Sequence, residues 1–149
     1  MISYHNGDLL KSNCKIICHQ VNLQGIMGGG LALQIANTYP NIEERYRHYT
    51  NLFYFKGDLL GRVYWFKTES GQIIANCFTQ SEKFDTVYSA LYKALNRVKK
   101  YALSFEQKAR IGIPYNYGCG IANGDWQKVE SIIKNVFENS TLDCQIWKL

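Results

Sequence analysis

The chain has 149 residues, 46% of them hydrophobic, with only two prolines. That excludes a disordered or fibrous chain and fits a single domain over 1–149 with a core of its own. The formal net charge of +5 is a mild basic bias, compatible with an anionic ligand or with nucleic acid and decisive for neither.

No apolar segment is long enough to span a membrane. Residues 1–6 lack the basic flank and apolar run of a secretory leader, so the expected setting is cytoplasmic, with a nuclear one left open, and the chain is expected to be a monomer. The five cysteines, Cys14, Cys18, Cys77, Cys119 and Cys144, are odd in number and lack framework spacing. They read as free thiols in a reducing compartment. Cys14, Cys18 and His19 suggest a metal site by type, but Cys18 and His19 are adjacent on an expected strand and point to opposite faces. No metal and no cofactor is expected.

Residues 4–7 read as the end of a first strand or a turn, and Asp8 is placed to cap the short turn after it. Residues 16–22 form the first strongly buried strand, almost continuously apolar. A loop over 22–30 follows, then a helix over 31–38 that stops at Tyr39-Pro40. Asn41 is the expected cap of a second helix over 42–49, with Glu43, Glu44, Arg45 and Arg47 facing outward. Residues 62–67 and 72–78 read as two strands joined by a turn at Glu69-Ser70-Gly71.

A polar loop over 79–85 leads to a long helix over about 87–101, whose Tyr88, Leu91, Leu95 and Val98 recur at helical spacing. Its Lys93, Arg97, Lys99 and Lys100 are either a solvated face or a nucleic-acid patch. Residues 110–115 form another strand, followed by a second glycine-rich loop over 116–124. Asp125 then opens a helix carrying Val129, Ile132, Ile133, Val136 and Phe137, and a strand over 143–149 closes the chain. This alternation predicts an α/β layered domain with a largely parallel sheet.

The stretch Asn22-Leu23-Gln24-Gly25-Ile26-Met27-Gly28-Gly29-Gly30-Leu31-Ala32 is the most informative. Three consecutive glycines between a strand and a helix are costly in backbone entropy. They make sense where a ligand approaches the backbone and a helix N-terminus points at it, an arrangement that suits phosphate. No Lys-Ser or Lys-Thr follows, so this is not a Walker A loop, and the spacing does not give GxGxxG. The second loop, Tyr117-Gly118-Cys119-Gly120-Ile121, also follows a strand and precedes a helix. In such sheets ligands bind at the carboxyl ends of strands, so both loops can grip one extended, phosphate-bearing ligand.

These residues resemble the macrodomain family. Gly7-Asp8-Leu9-Leu10, Asn22 with Gly25-x-Met27-Gly28-Gly29-Gly30-Leu31-Ala32, Tyr39-Pro40, Gly118-Cys119-Gly120-Ile121 and Asp125-Trp126 stand in the family's order. They look most like its ADP-ribose-1″-phosphate-processing and ALC1-like branch. The resemblance implies a three-layer α/β/α domain with a mixed, largely parallel sheet that binds ADP-ribose in a cleft at the top of the sheet.

Carried over, Asp8 would accept from the adenine amino group with the Leu9 backbone beside it, and Trp147 would lie near the adenine. Met27 and Gly28 to Ala32 would hold the phosphate nearer the distal ribose. Tyr117 and Gly118 to Ile121 would hold the other. Asn22 would face the distal ribose. Asp8 as a turn cap and Trp147 as core are the plainer alternatives.

For catalysis, ALC1-like glycohydrolases use a lysine in the loop after the strand ending at Phe78 and an aspartate soon after the second glycine loop. Here those places hold Gln80 or its neighbours and Ala122, with Lys83 the nearby substitute. His19 matches a histidine of the yeast-type ADP-ribose-1″-phosphate phosphatase and is a candidate for proton transfer; its alternative is a core histidine. Asp125 is a second candidate, or a helix cap, and Cys119 is either a nucleophile or a small residue in a tight loop.

The function expected is hydrolysis of an ADP-ribose derivative at the distal ribose: a 1″-phosphate, an acyl ester, or an ADP-ribosyl group on protein or nucleic acid. A non-catalytic ADP-ribose reader and a nucleic-acid binder are the alternatives.

Overall fold

The computed structural model describes residues 1–149. In chain order it contains β1 (Ile2–Asn6), a 3-10 turn (Leu9–Lys11), β2 (Ile16–Val21), α1 (Gly30–Thr38), α2 (Ile42–Thr50), a second 3-10 turn (Lys56–Leu59), β3 (Val63–Lys67), β4 (Ile73–Phe78), α3 (Tyr88–Ser104), β5 (Ile111–Pro114), α4 (Trp126–Phe137) and β6 (Cys144–Lys148). The strands form one six-stranded sheet in the order β1-β6-β5-β2-β4-β3. Neighbours run parallel except β3 and β4. Those two are joined by a tight turn, which can only return the chain antiparallel; parallel strands need a longer crossover.

The sheet is covered on both faces, giving three layers. Ile35 of α1 and Ile42 and Tyr46 of α2 pack with Ile17, Val21, Ile74 and Phe78 on one face. Leu91, Leu95 and Val98 of α3 and Val129 and Ile133 of α4 pack with Ile16, Cys18, Ala75 and Cys77 on the other. This is why β2 and β4 are almost uniformly apolar: both faces of a parallel strand are buried. Cys18 and His19 do point to opposite faces, and all five thiols are free. No helix is long and apolar enough to cross a membrane.

Residues 4–6 are the end of the first strand, as expected; the strand begins at Ile2 and pairs along its length with β6, and as a half-exposed edge strand it carries no continuous apolar run. One expectation needs correction. Asn41 stands at the start of α2 but makes no side-chain cap, and its backbone is left-handed, with φ 74°. Asp8 and Asp125 do cap, each accepting at 3.0 Å, from the amides of Leu10 and Gln127.

Candidate functional site

Three strands that are adjacent in the sheet, β5, β2 and β4, release their chains at the same rim. Each feeds a loop that returns as a helix. Between these loops lies a cleft of about 500 Å³, lined by both glycine loops and by the loop after β4. A larger hollow of about 630 Å³ lies over α2 among Glu44, Arg45, Arg47 and His48. That hollow is walled mainly by charged and polar side chains of one helix. The rim cleft is where backbone amides converge, and it is the candidate site.

The first loop is held from below. Asn22 Oδ1 accepts from the amides of Gln24 at 3.0 Å and Ile26 at 3.3 Å and from the Tyr46 hydroxyl at 2.7 Å. Its Nδ2 donates to the Ile26 carbonyl at 2.8 Å, leaving one N–H free. Glu43 Oε2 accepts from the Met27 amide at 2.6 Å, and Arg47 Nε donates to the Gly25 carbonyl at 3.2 Å. Gly25 has φ +79°, and a Cβ there would sit 2.8 Å from Arg47, so glycine is required. Thus Glu43 and Arg47, expected to face outward, reach back to fix the loop.

The loop delivers Gly28-Gly29-Gly30 to the start of α1. The first bond of that helix runs from the Leu33 amide to the Gly29 carbonyl, so the amides of Gly30, Leu31 and Ala32 precede it and have no intrahelical acceptor. With the helix dipole behind them they have the chemistry to receive an anion.

The second loop is pinned to the loop after β4. The Thr86 hydroxyl donates to the Gly118 carbonyl at 2.7 Å, and the Gly124 amide donates to the same carbonyl at 2.7 Å. Gly118 has φ +70°, and a Cβ would meet Thr86 Oγ1 at 2.7 Å. Gln20 ties the loops together. Its amide nitrogen donates to Thr79 Oγ1 and Thr86 Oγ1, both at 3.1 Å, and its oxygen accepts from Gln80 Nε2 at 3.0 Å. The Tyr117 hydroxyl is buried against Thr79 Oγ1 at 2.6 Å.

His19 lies at the floor of the cleft and is buried. Its Nε2 is 2.6 Å from Asn76 Oδ1, its neighbour across the β2–β4 pairing. Asn76 Nδ2 donates to the Tyr64 carbonyl, which leaves Oδ1 as acceptor and assigns the proton to His19 Nε2. His19 Nδ1 is therefore a buried lone pair, and it has no partner. Burial pushes the ring's pKa down to about 4, against the opposing effect of the Asn76 bond, so His19 is neutral near pH 7.

Of the residues singled out from sequence, His19, Asn22, Gly28, Gly29, Gly30, Leu31, Ala32, Tyr117, Gly118, Gly120 and Ile121 line the cleft, together with Gln80 and Ala122. The Met27 side chain is buried beneath it. Cys119 turns its thiol to the Tyr117 carbonyl, and burial raises its pKa, which keeps it protonated. Asp125 is at the α4 cap. Lys83 is exposed on its loop and outside the lining.

Asp8, Leu9 and Trp147 lie further along the same rim. Trp147 pairs with Pro114 of β5 and stacks on His5 at 5.0 Å, and Asp8 follows β1. Sequence reasoning missed Gln20, Tyr46 and Asn76. Their roles depend on partners 24 to 66 residues away.

No model of a known protein family matches the sequence. The chain is 26% identical over 151 residues to the DNA ADP-ribosyl glycohydrolases of Mycobacterium tuberculosis and Mycobacterium bovis, covering 93% of this chain and 39% of each relative. It therefore spans about two fifths of the length of the curated relatives it matches.

Among solved structures, it is similar to a macrodomain protein from Streptomyces coelicolor, at 28% identity and TM-score 0.82, over 99% of this chain and 98% of that one. It is also similar to the macrodomain of Mycobacterium tuberculosis DarG, at 25% identity and TM-score 0.81, over 99% and 97%. A Bacteroides thetaiotaomicron protein of unknown function matches at 26% identity and TM-score 0.87, over 100% and 98%. The chain has the macrodomain fold.

Proposed function

We propose that this chain binds ADP-ribose along the rim and hydrolyses an ADP-ribosyl linkage at the distal ribose. The observation that carries the reading is the convergence of both glycine loops on one cleft at the start of α1. A backbone anion site at the start of α1, faced across the cleft by a second glycine loop, matches a diphosphate flanked by two large groups. Asp8 and Trp147, toward β6 and β1, take the adenine. The diphosphate lies over Gly28 to Ala32 and Gly118 to Ile121. The distal ribose then falls near Asn22 and His19, toward β4.

Within this reading the free Nδ2–H of Asn22 donates to the ribose. His19, buried and neutral beneath this end of the cleft, holds the floor in place through its bond to Asn76. The relatives named as DNA ADP-ribosyl glycohydrolases support a nucleic-acid-borne ADP-ribosyl group as substrate. Gln80 is a carboxamide and not a nucleophile, so water attacks directly, held by the preorganised loops.

Gln80 and Ala122, in the places of the lysine and aspartate of ALC1-like enzymes, favour one second reading: a module that holds ADP-ribose without cleaving it. The test is release of ADP-ribose from four substrates: modified single-stranded DNA, modified peptide, O-acetyl-ADP-ribose and ADP-ribose-1″-phosphate. Cleavage of modified DNA or peptide supports the hydrolase. Tight binding of ADP-ribose with no release from any of them supports the reader. Absence of ADP-ribose binding overturns both.

A further inference from the structure

We infer that Phe84 is a stacking platform for the nucleobase of an ADP-ribosylated single-stranded nucleic acid, at the end of the cleft beyond the distal ribose. The inference rests on the ADP-ribose reading above and names the group that the ADP-ribose is attached to.

Phe84 belongs to the loop between β4 and α3, and this loop is tightly built. The Ser81 amide donates to the Asp85 carbonyl at 2.8 Å, and the Phe84 amide to the Ser81 carbonyl at 2.9 Å. Ser81 Oγ accepts from the amides of Lys83 and Asp85, each at 3.2 Å. The flanking residues Gln80 and Thr86 pair as a β-bridge. Within this frame Phe84 takes a left-handed backbone, φ 66°. A bulky aromatic rarely adopts that conformation; glycine, asparagine or aspartate does so at less cost. Burial does not explain the choice either, because Phe84 is 43% exposed. A rigid loop thus holds an aromatic ring open at the edge of the cleft, in a conformation that favours other residues.

The position fixes what meets it. In the sheet order, adenine at β1 and β6 and the loop after β4 lie on opposite sides of the phosphate loops. Phe84 is therefore past the distal ribose, where the carrier of the ADP-ribosyl group must emerge. Ile26 and Ile121, 54% and 82% exposed, line the same cleft and widen its apolar lip. Gln80, held through Nε2 by Gln20, keeps an amide oxygen and one N–H without protein partners. That donor–acceptor pair complements a base edge.

Stacking on an aromatic ring tolerates any base, because every base has a π-face. Lys83 beside Phe84 is offset by the exposed carboxylates of Glu82 and Asp85, so recognition here rests on the ring and not on charge. A base within a duplex is unavailable to such a ring, so the strand must be single or the base extruded. An aliphatic or carboxylate side chain of a modified protein would gain little from an exposed aromatic face.

The test uses the full chain and three probes: free ADP-ribose, a single-stranded oligonucleotide bearing ADP-ribose on one base, and a peptide bearing ADP-ribose on a glutamate. Dissociation constants, and kcat/KM where a probe is cleaved, are measured for wild type, Phe84→Ala and Phe84→Tyr. Thermal unfolding confirms that both variants fold. For the oligonucleotide, Phe84→Ala is expected to lose about tenfold, the size of one stacking contact, and Phe84→Tyr to restore it. Free ADP-ribose and the peptide should change by less than about twofold in either variant.

An equal loss for all three probes overturns the inference, since Phe84 would then touch ADP-ribose itself. An unchanged oligonucleotide value in a folded Phe84→Ala overturns it too. If wild type fails to bind free ADP-ribose, the underlying reading falls and takes the inference with it.

Discussion

His19 Nε2 donates to Asn76 Oδ1 at 2.6 Å in the interior of the sheet, and this pairing leaves Nδ1 as a buried, unpartnered lone pair. Burial, against the opposing effect of the Asn76 bond, turns a titratable side chain into a fixed neutral one. In the unfolded chain the ring has its ordinary pKa of 6.5; in the native state burial lowers it to about 4.

The folded value lies below the unfolded one, so the stabilising effect is complete above pH 6.5 and is lost as pH falls toward 4. Linkage places the loss at about 3 kcal/mol across that window, or roughly 10 °C in Tm for a chain of this size. His19→Gln keeps a donor to Asn76 and cannot be protonated. Thermal unfolding from pH 7.5 to 4 should therefore fall more steeply for wild type than for His19→Gln. Parallel profiles would mean that the native ring is reachable by protons and that its neutrality has no structural basis.

Asp8 has two oxygens with different work. One caps the turn at the Leu10 amide; the other, on the proposed reading, accepts from the adenine amino group. Asp8→Asn can keep the cap while replacing the second acceptor by a donor. Its Tm should match wild type, and calorimetry should show ADP-ribose binding weakened by about 1–3 kcal/mol, the usual cost of an unpaired partner. AMP should bind wild type far more weakly than ADP-ribose, since only the longer ligand reaches both glycine loops. Undiminished binding by Asp8→Asn would reduce Asp8 to a cap, and equal affinities for AMP and ADP-ribose would defeat the two-loop arrangement.

Gly118 and Gly120 lie two residues apart and separate the loop's shape from its ligand contact. Gly118→Ala forces a side chain into the left-handed region and onto Thr86 Oγ1, the hydroxyl that anchors the loop. It should cost about 1–3 kcal/mol in stability, from backbone strain and a disturbed hydrogen bond. A Cβ on Gly120 meets nothing within 4 Å and needs no unusual backbone. Gly120→Ala should unfold like wild type while weakening ADP-ribose binding. Chemical denaturation and calorimetry on the two variants check both; a Gly120→Ala protein that binds normally would show that no ligand approaches the loop at that point.

The sequence carried the framework further than the site. Ile16-Ile17-Cys18 and Ile73-Ile74-Ala75 are apolar on both faces, so burial between two layers is written locally. The glycine loops are equally local, because Gly28-Gly29-Gly30 and Gly118-Cys119-Gly120 announce close backbone approach wherever they fold. What holds those loops is not local. Tyr46, Glu43 and Arg47 look like the residues of any amphipathic surface helix until α2 packs beneath residues 22–27. The state of His19 depends on Asn76, 57 residues away, and becomes legible only when the register of β2 and β4 is known. Phe84 sits in a polar loop with no periodicity to single it out, and its left-handed backbone is invisible in the composition.

The firmest single test is Gly29→Glu. Gly29 has an extended backbone, φ −158°, that any residue adopts, and the nearest atom to a Cβ there is Ile121 Cδ1 at 3.7 Å. A glutamate therefore fits without displacing the chain. It also stands at the position before α1, where a negative charge is favoured by the helix dipole and by the free amides of the first turn. The unliganded variant should be as stable as wild type or slightly more so.

The same carboxylate then occupies the surface that the phosphate needs. A second negative charge about 4 Å away is repelled by roughly 4 kcal/mol at an effective dielectric near 20. Binding and any turnover should vanish together. Thermal unfolding with and without ADP-ribose reads this directly. Wild type gains about 2.7 kcal/mol at a ligand concentration one hundred times its Kd, and Gly29→Glu gains nothing. A folded Gly29→Glu protein that ADP-ribose still stabilises would show that the glycine run is only a turn and that the anion site lies elsewhere.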